Sequence, residues 1–243
     1  MTGKQLKNAI LQLAIQGKLV PQDPTDEPAS ALLAQIRKEK EQLLKAGKLK
    51  KKDLETTPIT DEEKPFEIPE SWEWVRLGEL MRTISGTSYS KGDVIKSGIR
   101  ILRGGNIQTP KLIIEDDDVF IGESFSDEEK NIQEGDIIIV ASTGSFTAIG
   151  RPAFIDRTIP KTQIGAFLRI LRPFNITVCS YLRLIFISEY YRKHLKSKVK
   201  GTNINNIKTE YYADMLVPLP PLVEQKRIVA KIEELMAMMD GMK

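Results

Sequence analysis

The chain has 243 residues, a formal net charge of +3 at pH 7, one histidine and one cysteine, enough for one large or two small domains. The lone Cys179 excludes an intramolecular disulfide framework and points to a reducing cytoplasm, and one His beside one Cys excludes a zinc site of nitrogen and sulfur ligands. No run reaches the roughly 20 apolar residues of a membrane span, so no membrane partner is expected.

Residues 4–17 read as a helix. Leu6, Ile10, Leu13 and Gly17 step by four, three and four, which keeps one seam on one side, and Gly17 can end it. The stretch LVPQDPTDEPAS is too rich in proline to continue it. A second helix is expected from near Asp26, an N-cap residue, with Pro28 in its first turn, Leu33, Ile36 and Leu43 on its seam, and Gly47 at its close. Residues 1–47 thus form an N-terminal helical region. Residues 48–65 (KLKKKDLETTPITDEEKP) have little apolar content and no period, and read as an extended polar linker.

From Phe66 to Val217 the composition changes. Short β-rich runs recur (WEWVRL, GIRILRGG, KLIIE, GDIIIVAS, RPAFID, FLRILRP), parted by Gly, Asn, Asp and Pro. One helix, Ser180–Lys198, interrupts them. The expectation is an α+β domain over 66–217 with short, mostly antiparallel strands, flanked by helices outside its core. Over 218–243, Leu222, Gln225, Val229, Ile232, Met236 and Met239 step by three, four, three, four and three, the period of a coiled-coil seam with Gln225 as a polar break. The plain alternative is a single helix lying on its own domain. Two helices with similar spacing at opposite ends favour a pair that packs together, or that takes up helices of a partner. Leu6, Ile10 and Leu13, with Leu222, Val229, Ile232 and Met236, are the expected interface.

Catalytic signatures are sparse. His194 lies among lysines late in a helix, where a surface role is the simpler explanation. No P-loop, nucleophile elbow or dinucleotide fingerprint opens a helix after a strand. A magnesium-dependent nuclease would need Glu-x-Lys on a buried strand beside acids such as Asp116–Asp118. DEEK at 127–130 instead reads as a polar turn. LPPL at 219–222 lacks the polar and aromatic members of an adenine methyltransferase tetrad.

The polar residues gather in loops: SGTSYSKGD, RGGNIQ, ASTGSFTAIGR, PKTQIG and KVKGTNINNIK. Loops are polar in any protein, but five of this composition without a catalytic group favour recognition of nucleic acid. Hydroxyls, amides and ammonium groups suit phosphates, whereas Arg, Asn and Gln make paired hydrogen bonds to purine edges. Residue chemistry selects Arg103, Asn106, Ser145 and Gln163 as base readers. Lys198, Lys200, Thr202 and Asn203 are candidate backbone-positioning groups, with Lys91, Thr143 and Lys161 as further DNA-binding candidates. The basic run Arg192–Lys200, within folded-looking sequence, supports a phosphate-facing patch. The run Arg37–Asp53 is more simply a solvated face.

Three stretches carry a resemblance. LKNAILQLAIQGKLVPQDPTDEPASALLAQIRKEK, IPESWEWVRLGEL and GTNINNIKTEYYADMLVPLPPLVEQKRIVAKIEELM, in this order, resemble the specificity subunit of type I restriction–modification systems. The resemblance implies a target recognition domain over 66–217, and terminal helices that act as spacer and as docking platform for methyltransferase and restriction subunits. It implies double-stranded DNA as ligand and no catalysis by this chain. No cofactor is expected here, since S-adenosylmethionine and ATP would belong to the partners. Complete subunits of this kind usually carry two recognition domains, whereas this chain has one. It is therefore read either as part of a longer subunit or as a half-subunit that pairs with itself. The competing readings are a stand-alone nuclease or methyltransferase, and a helical interaction module without DNA binding.

Overall fold

A computed structural model describes residues 2–145, 147–199 and 207–241. Helices α1 (Gly3–Ile15) and α2 (Ala29–Lys45) come first, followed by β1 (Glu73–Arg76) and the single turn α3 (Leu77–Leu80). Ten short strands follow: β2 (Met81–Ser85), β3 (Val94–Ile95), β4 (Ile99–Leu102), β5 (Ile107–Gln108), β6 (Lys111–Leu112), β7 (Val119–Ile121), β8 (Ile137–Val140), β9 (Pro152–Phe154), β10 (Thr162–Ile164) and β11 (Leu168–Pro173). Then come α4 (Cys179–Ile187), α5 (Glu189–Val199), α6 (Thr209–Ala213), β12 (Leu216–Leu219) and α7 (Leu222–Gly241). The architecture is α+β, and all strand pairings but β4–β10 and an isolated bridge are antiparallel.

The chain divides into two compact units, and not at the boundaries expected from composition. One unit takes residues 1–80, 174–194 and 213–243, and the other takes 81–173 and 195–212. The ends of the stretch 66–217 belong with the terminal helices because β1 pairs with β12, Glu73 opposite Leu219 and Arg76 opposite Leu216.

In the first unit, local chemistry fixes the helix ends. Thr2 Oγ1 accepts from the Gln5 amide (3.2 Å), and Gln5 Oε1 accepts from the Thr2 amide (2.7 Å), a reciprocal cap on α1. Gly17 and Gly47, at φ 68° and 72°, close α1 and α2, with the amides of Lys18 and Lys48 returning to the carbonyls of Leu13 and Leu43 at 2.9 Å. This left-handed cap is open to glycine at little cost. The first helix buries Ile10, Leu11, Ala14 and Ile15, with Ile10, Leu11 and Ile15 each contributing ~1.5–3 kcal/mol before ordering costs. Leu6 is half-buried, and Leu13, expected on the seam, is 42% exposed. The reason is that α1 contacts both α4 and α7, so its apolar face is broad and rotated from a single-partner seam.

The same rotation occurs in α7. Glu224, Gln225, Ile228 and Ile232 are buried, while Leu222, Val229 and Met236 are half-buried. Gln225, expected to interrupt the seam, lies on the inner face and donates to the Pro220 carbonyl at 2.9 Å. Glu224 is held by Trp72 Nε1 (2.8 Å) and Gln22 Nε2 (2.5 Å), and Arg227 pairs with Asp26. Burial pushes the Glu224 carboxyl up, opposed by those hydrogen bonds and by Arg227. The start of α7 is thus core of this unit rather than a free spacer, while Met238, near its end, is 59% exposed.

Two further expectations are corrected here. The stretch 48–65 is not simply extended: it contains two 3-10 turns, Lys51–Leu54 and Asp61–Glu63. Arg76 pins it, donating to the carbonyls of Thr57 (3.0 Å) and Pro58 (3.2 Å) and to Glu63 (3.0 Å). The single helix expected over 180–198 is two, because Ser188 leaves the helical conformation at ψ 160° and its Oγ caps the Tyr191 amide at 3.3 Å.

The second unit holds two four-stranded sheets, ordered β10-β4-β7-β3 and β2-β11-β8-β9, and the ribbon β5–β6. The run IIIV is β8, buried at every residue and central in its sheet, which explains its lack of alternation. Alternation in β4 sends Ile99 and Ile101 into a cluster with Ile121, and Leu102 into the larger core with Ile138, Val140, Ile164, Leu168 and Ile170.

Candidate nucleic-acid interface

The register of the second unit brings four loops to one edge. β2 and β8 both run antiparallel to β11 and end beside its first residues, Ser85 opposite Arg169 and Val140 opposite Leu168. β10 leads into β11, and β4 runs parallel to β10 with Leu102 opposite Ile164. The C-terminal ends of β2, β4, β8 and β10 therefore meet around the β10–β11 turn. Backbone bonds tie them together. Thr87 donates to the Ile164 carbonyl (2.7 Å), Gly165 to Leu102 (2.8 Å), and Ala141 and Ser142 to Phe167 (2.9 and 3.0 Å). Gly86 permits this approach, since a Cβ there would collide with the Gly165 carbonyl. Ile207 also arrives here, donating to the Ala141 carbonyl at 2.8 Å.

Three expected site residues lie on this edge. Arg103, following β4, is exposed and makes no ion pair among the described residues. Thr143 and Ser145 follow β8. Thr143 Oγ1 accepts from the Ser145 amide (3.2 Å), and Ser145 Oγ contacts Thr147 Oγ1 (3.0 Å). Two further arginines, unselected from sequence, belong to the same group. Arg151 reaches the Gly104 carbonyl (3.4 Å), and Arg169 donates to the carbonyls of Ala166 and Leu168 (both 2.7 Å). Among the described residues none of these three guanidiniums meets a carboxylate, and those of Arg151 and Arg169 donate to backbone carbonyls. Of the acidic run Glu115–Asp118, which precedes β7 on the other side of β4 from β10, Asp118 turns inward and the rest are exposed.

Two expected base readers are internal braces instead. Asn106 is buried. Its Oδ1 accepts from the Arg103 amide (2.7 Å), and its Nδ2 donates to the Ile113 carbonyl (2.9 Å) and to Asp118 (2.7 Å). Gln163 is fully buried, accepting from Thr87 Oγ1 (2.7 Å) and donating to the carbonyls of Asp127 (3.2 Å) and Phe125 (3.4 Å). With their amide groups committed, neither is available to a base edge.

The remaining candidates lie elsewhere. Lys161 precedes β10, at the opposite end of the strand, and pairs with Glu123 at 2.6 Å. That end also carries Arg82–Glu129 (2.7 Å) and the buried pair Arg172–Asp136 (2.8 Å). Lys91 is exposed in the 3-10 turn Lys91–Asp93, and Lys198 is exposed in the last turn of α5. Lys200, Thr202 and Asn203 lie outside the described residues. Among the described residues, no group of three or more His, Cys, Asp or Glu is arranged to hold a metal ion, and no helix is long and apolar enough to cross a membrane. The DEEK stretch forms a 3-10 turn, Glu128–Lys130, capped by Asp127.

Residues 69–242 match the family model described as type I restriction modification DNA specificity domain. The chain is 38% identical over 240 residues to the type I restriction enzyme EcoAI specificity subunit of Escherichia coli, covering 95% of this chain and 39% of that protein. It is 30% identical over 248 residues to the EcoEI specificity subunit of the same organism, covering 98% and 41%. It thus spans about two fifths of the length of these curated relatives. Among solved structures, the fold matches the HsdS subunit from Thermoanaerobacter tengcongensis with TM-score 0.54 at 22% identity, covering 88% of this chain and 47% of that one. It also matches a chain from a study of complex assembly and conformational transition of the type I R-M system with TM-score 0.56 at 21% identity, covering 88% and 48%.

Proposed function

Because the chain belongs to the family of type I restriction–modification DNA specificity domains, we propose that it reads one half of a bipartite DNA target for a larger modification and restriction assembly. The observation that carries this reading is the loop edge of the second unit. Arginines without carboxylate partners among the described residues, and exposed hydroxyls, converge there on a tightly bonded backbone. Cationic groups attract the phosphate backbone whatever the sequence, and an unspent guanidinium can pair with the O6 and N7 of guanine. Lys198 and Lys200 are assigned to phosphates, and Arg103 and Ser145 to bases.

The first unit, on this reading, is the docking body. Its terminal helices engage methyltransferase and restriction subunits, and Leu13 and Met238 offer apolar surface to a further helix, whether of a partner or of a second copy. The chain itself is non-catalytic, the methyl donor and ATP being bound by the partners, and it acts in the cytoplasm. Co-production with the modification subunit encoded beside it, followed by mapping of methylated adenines, tests the proposal. A defined sequence context that changes when the segment 81–173 is exchanged for that of a relative is the expected result. Methylation or cleavage by the purified chain without added subunits would refute it.

A further inference from the structure

Phe167 is the most solvent-exposed of the large apolar side chains among the described residues, at 68%, yet its backbone is among the most constrained. The turn that bears it is closed by the Leu168 amide donating to Gly165 (2.9 Å) and anchored by the Gly165 amide on Leu102 (2.8 Å). The Phe167 carbonyl accepts from both Ala141 and Ser142, and Arg169 clamps the carbonyls on either side, Ala166 and Leu168, at 2.7 Å. An aromatic ring held out on a fixed backbone loses little conformational freedom on binding, as a contact residue requires.

Its surroundings identify the ligand. The same edge carries Arg103, Ser142, Thr143 and Ser145. Among the described residues, the other large exposed apolar side chains of this unit, Val94, Ile95 and Ile114, lie on none of the four loops. Protein interfaces present contiguous apolar cores, whereas among the described residues this edge exposes one large apolar side chain, set among polar groups and beside the half-buried ring of Tyr89. The major groove has the matching pattern, hydrogen-bonding edges interrupted by one apolar group, the C5-methyl of thymine.

We infer that Phe167 is a specificity-determining residue that packs on a thymine methyl within the DNA half-site. The inference rests on the DNA-reading function proposed above, and specifies which base one loop recognises and by what contact.

The test pairs deletion of the ring with deletion of the methyl. The chain in complex with its modification subunit is titrated against duplexes containing the mapped target, with each thymine of the half-site replaced in turn by deoxyuridine. At one position the wild-type complex should lose about three- to fivefold in affinity. Phe167→Ala should bind the parent duplex about three- to tenfold more weakly and be indifferent to deoxyuridine at that position, with Phe167→Leu intermediate. Urea midpoints of both variants should match the wild type, since the side chain is exposed. Wild-type affinity in Phe167→Ala, equal methyl dependence in wild type and variant, or a half-site without thymine on either strand would overturn the inference. So would 2-aminopurine that brightens within the site only with the wild type, which would indicate a ring wedged between bases instead. A wild-type complex that selects the target while the cycle is flat refutes only this inference. A complex with no sequence preference refutes the DNA-reading function, and this inference with it.

Discussion

The two ends of the strands in the second unit use the same residue types for opposite purposes. At one end, cations are matched by carboxylates: Arg82 with Glu129, Lys161 with Glu123, and Arg172 with Asp136 in a buried, doubly bonded pair. At the other, Arg103, Arg151 and Arg169 have no carboxylate partner among the described residues, and backbone bonds tie the loops that carry them. Paired charges hold structure and have little left for a ligand, whereas unpaired ones on a rigid frame keep their field and their donors. The position of a basic residue along the strand, more than its identity, therefore separates a structural brace from a proposed reader.

Substitutions at the two ends should part accordingly. The largest effect is expected for Arg172→Ala, which strands the fully buried Asp136 carboxylate and should cost ~3–5 kcal/mol of stability by urea unfolding. Next comes a contrast between neighbours. Asn106→Ala should cost roughly 1–3 kcal/mol of stability, by leaving Asp118 Oδ1 and the Ile113 carbonyl without the Asn106 donor, although Asp118 Oδ2 keeps Arg100 and the Glu115 amide. Arg103→Ala should leave the urea midpoint unchanged and weaken binding of the cognate duplex by about 1–3 kcal/mol, with relaxed selectivity at one base pair. If both variants lost stability alike, the distinction between brace and reader at this edge would fail. The smallest effect is expected for Lys198→Ala, a modest loss of affinity shared by all sequences and a salt-dependence slope shallower by about 1 in a binding titration. An unchanged slope would remove Lys198 from the phosphate-facing set.

Much of the fold was legible from local chemistry. Gly17 and Gly47 end helices as expected, because only the left-handed cap uses them there. The six β-rich runs each contain a strand. Strands β2, β7, β10 and β12 gave little warning. MRTIS and TQI are half polar, and LVPL carries a proline that its place beside β1 alone tolerates, so their strand character comes from partners distant in sequence. The break at Ser188 had a visible signal, an N-cap residue followed by Glu189, which the apolar periodicity overrode. The seams of α1 and α7 were rotated because a helix packing on two neighbours buries adjacent positions, such as Ile10 with Leu11 and Ala14 with Ile15.

The candidate edge was legible in part. Arg103, Thr143 and Ser145 are selected by residue chemistry, and their loops follow strands whose register brings them to one edge. The chemistry that suits Asn106 and Gln163 to reading bases is the chemistry that makes them braces. A side chain that can both donate and accept satisfies a buried loop as readily as a base pair. Gln163 lies between Thr162 and Ile164 in a wholly buried strand, and the polar segment Lys161–Gln163 gives no sign of that burial. Arg151 and Arg169 fall beside strands that look ordinary until the topology is known, and Phe167 reads as the first residue of an apolar run.

The contact of Trp72 with Glu224 has an experimental consequence. Both tryptophans of the chain, Trp72 and Trp74, belong to the first unit, and the indole N–H of Trp72 donates to the buried carboxylate at the start of α7. Tryptophan emission, excited selectively, therefore reports on that unit alone and, through Trp72, on whether the C-terminal helix is seated. The second unit is silent at tryptophan wavelengths, so denaturation followed by emission and by far-ultraviolet dichroism can time the opening of each unit separately without a label.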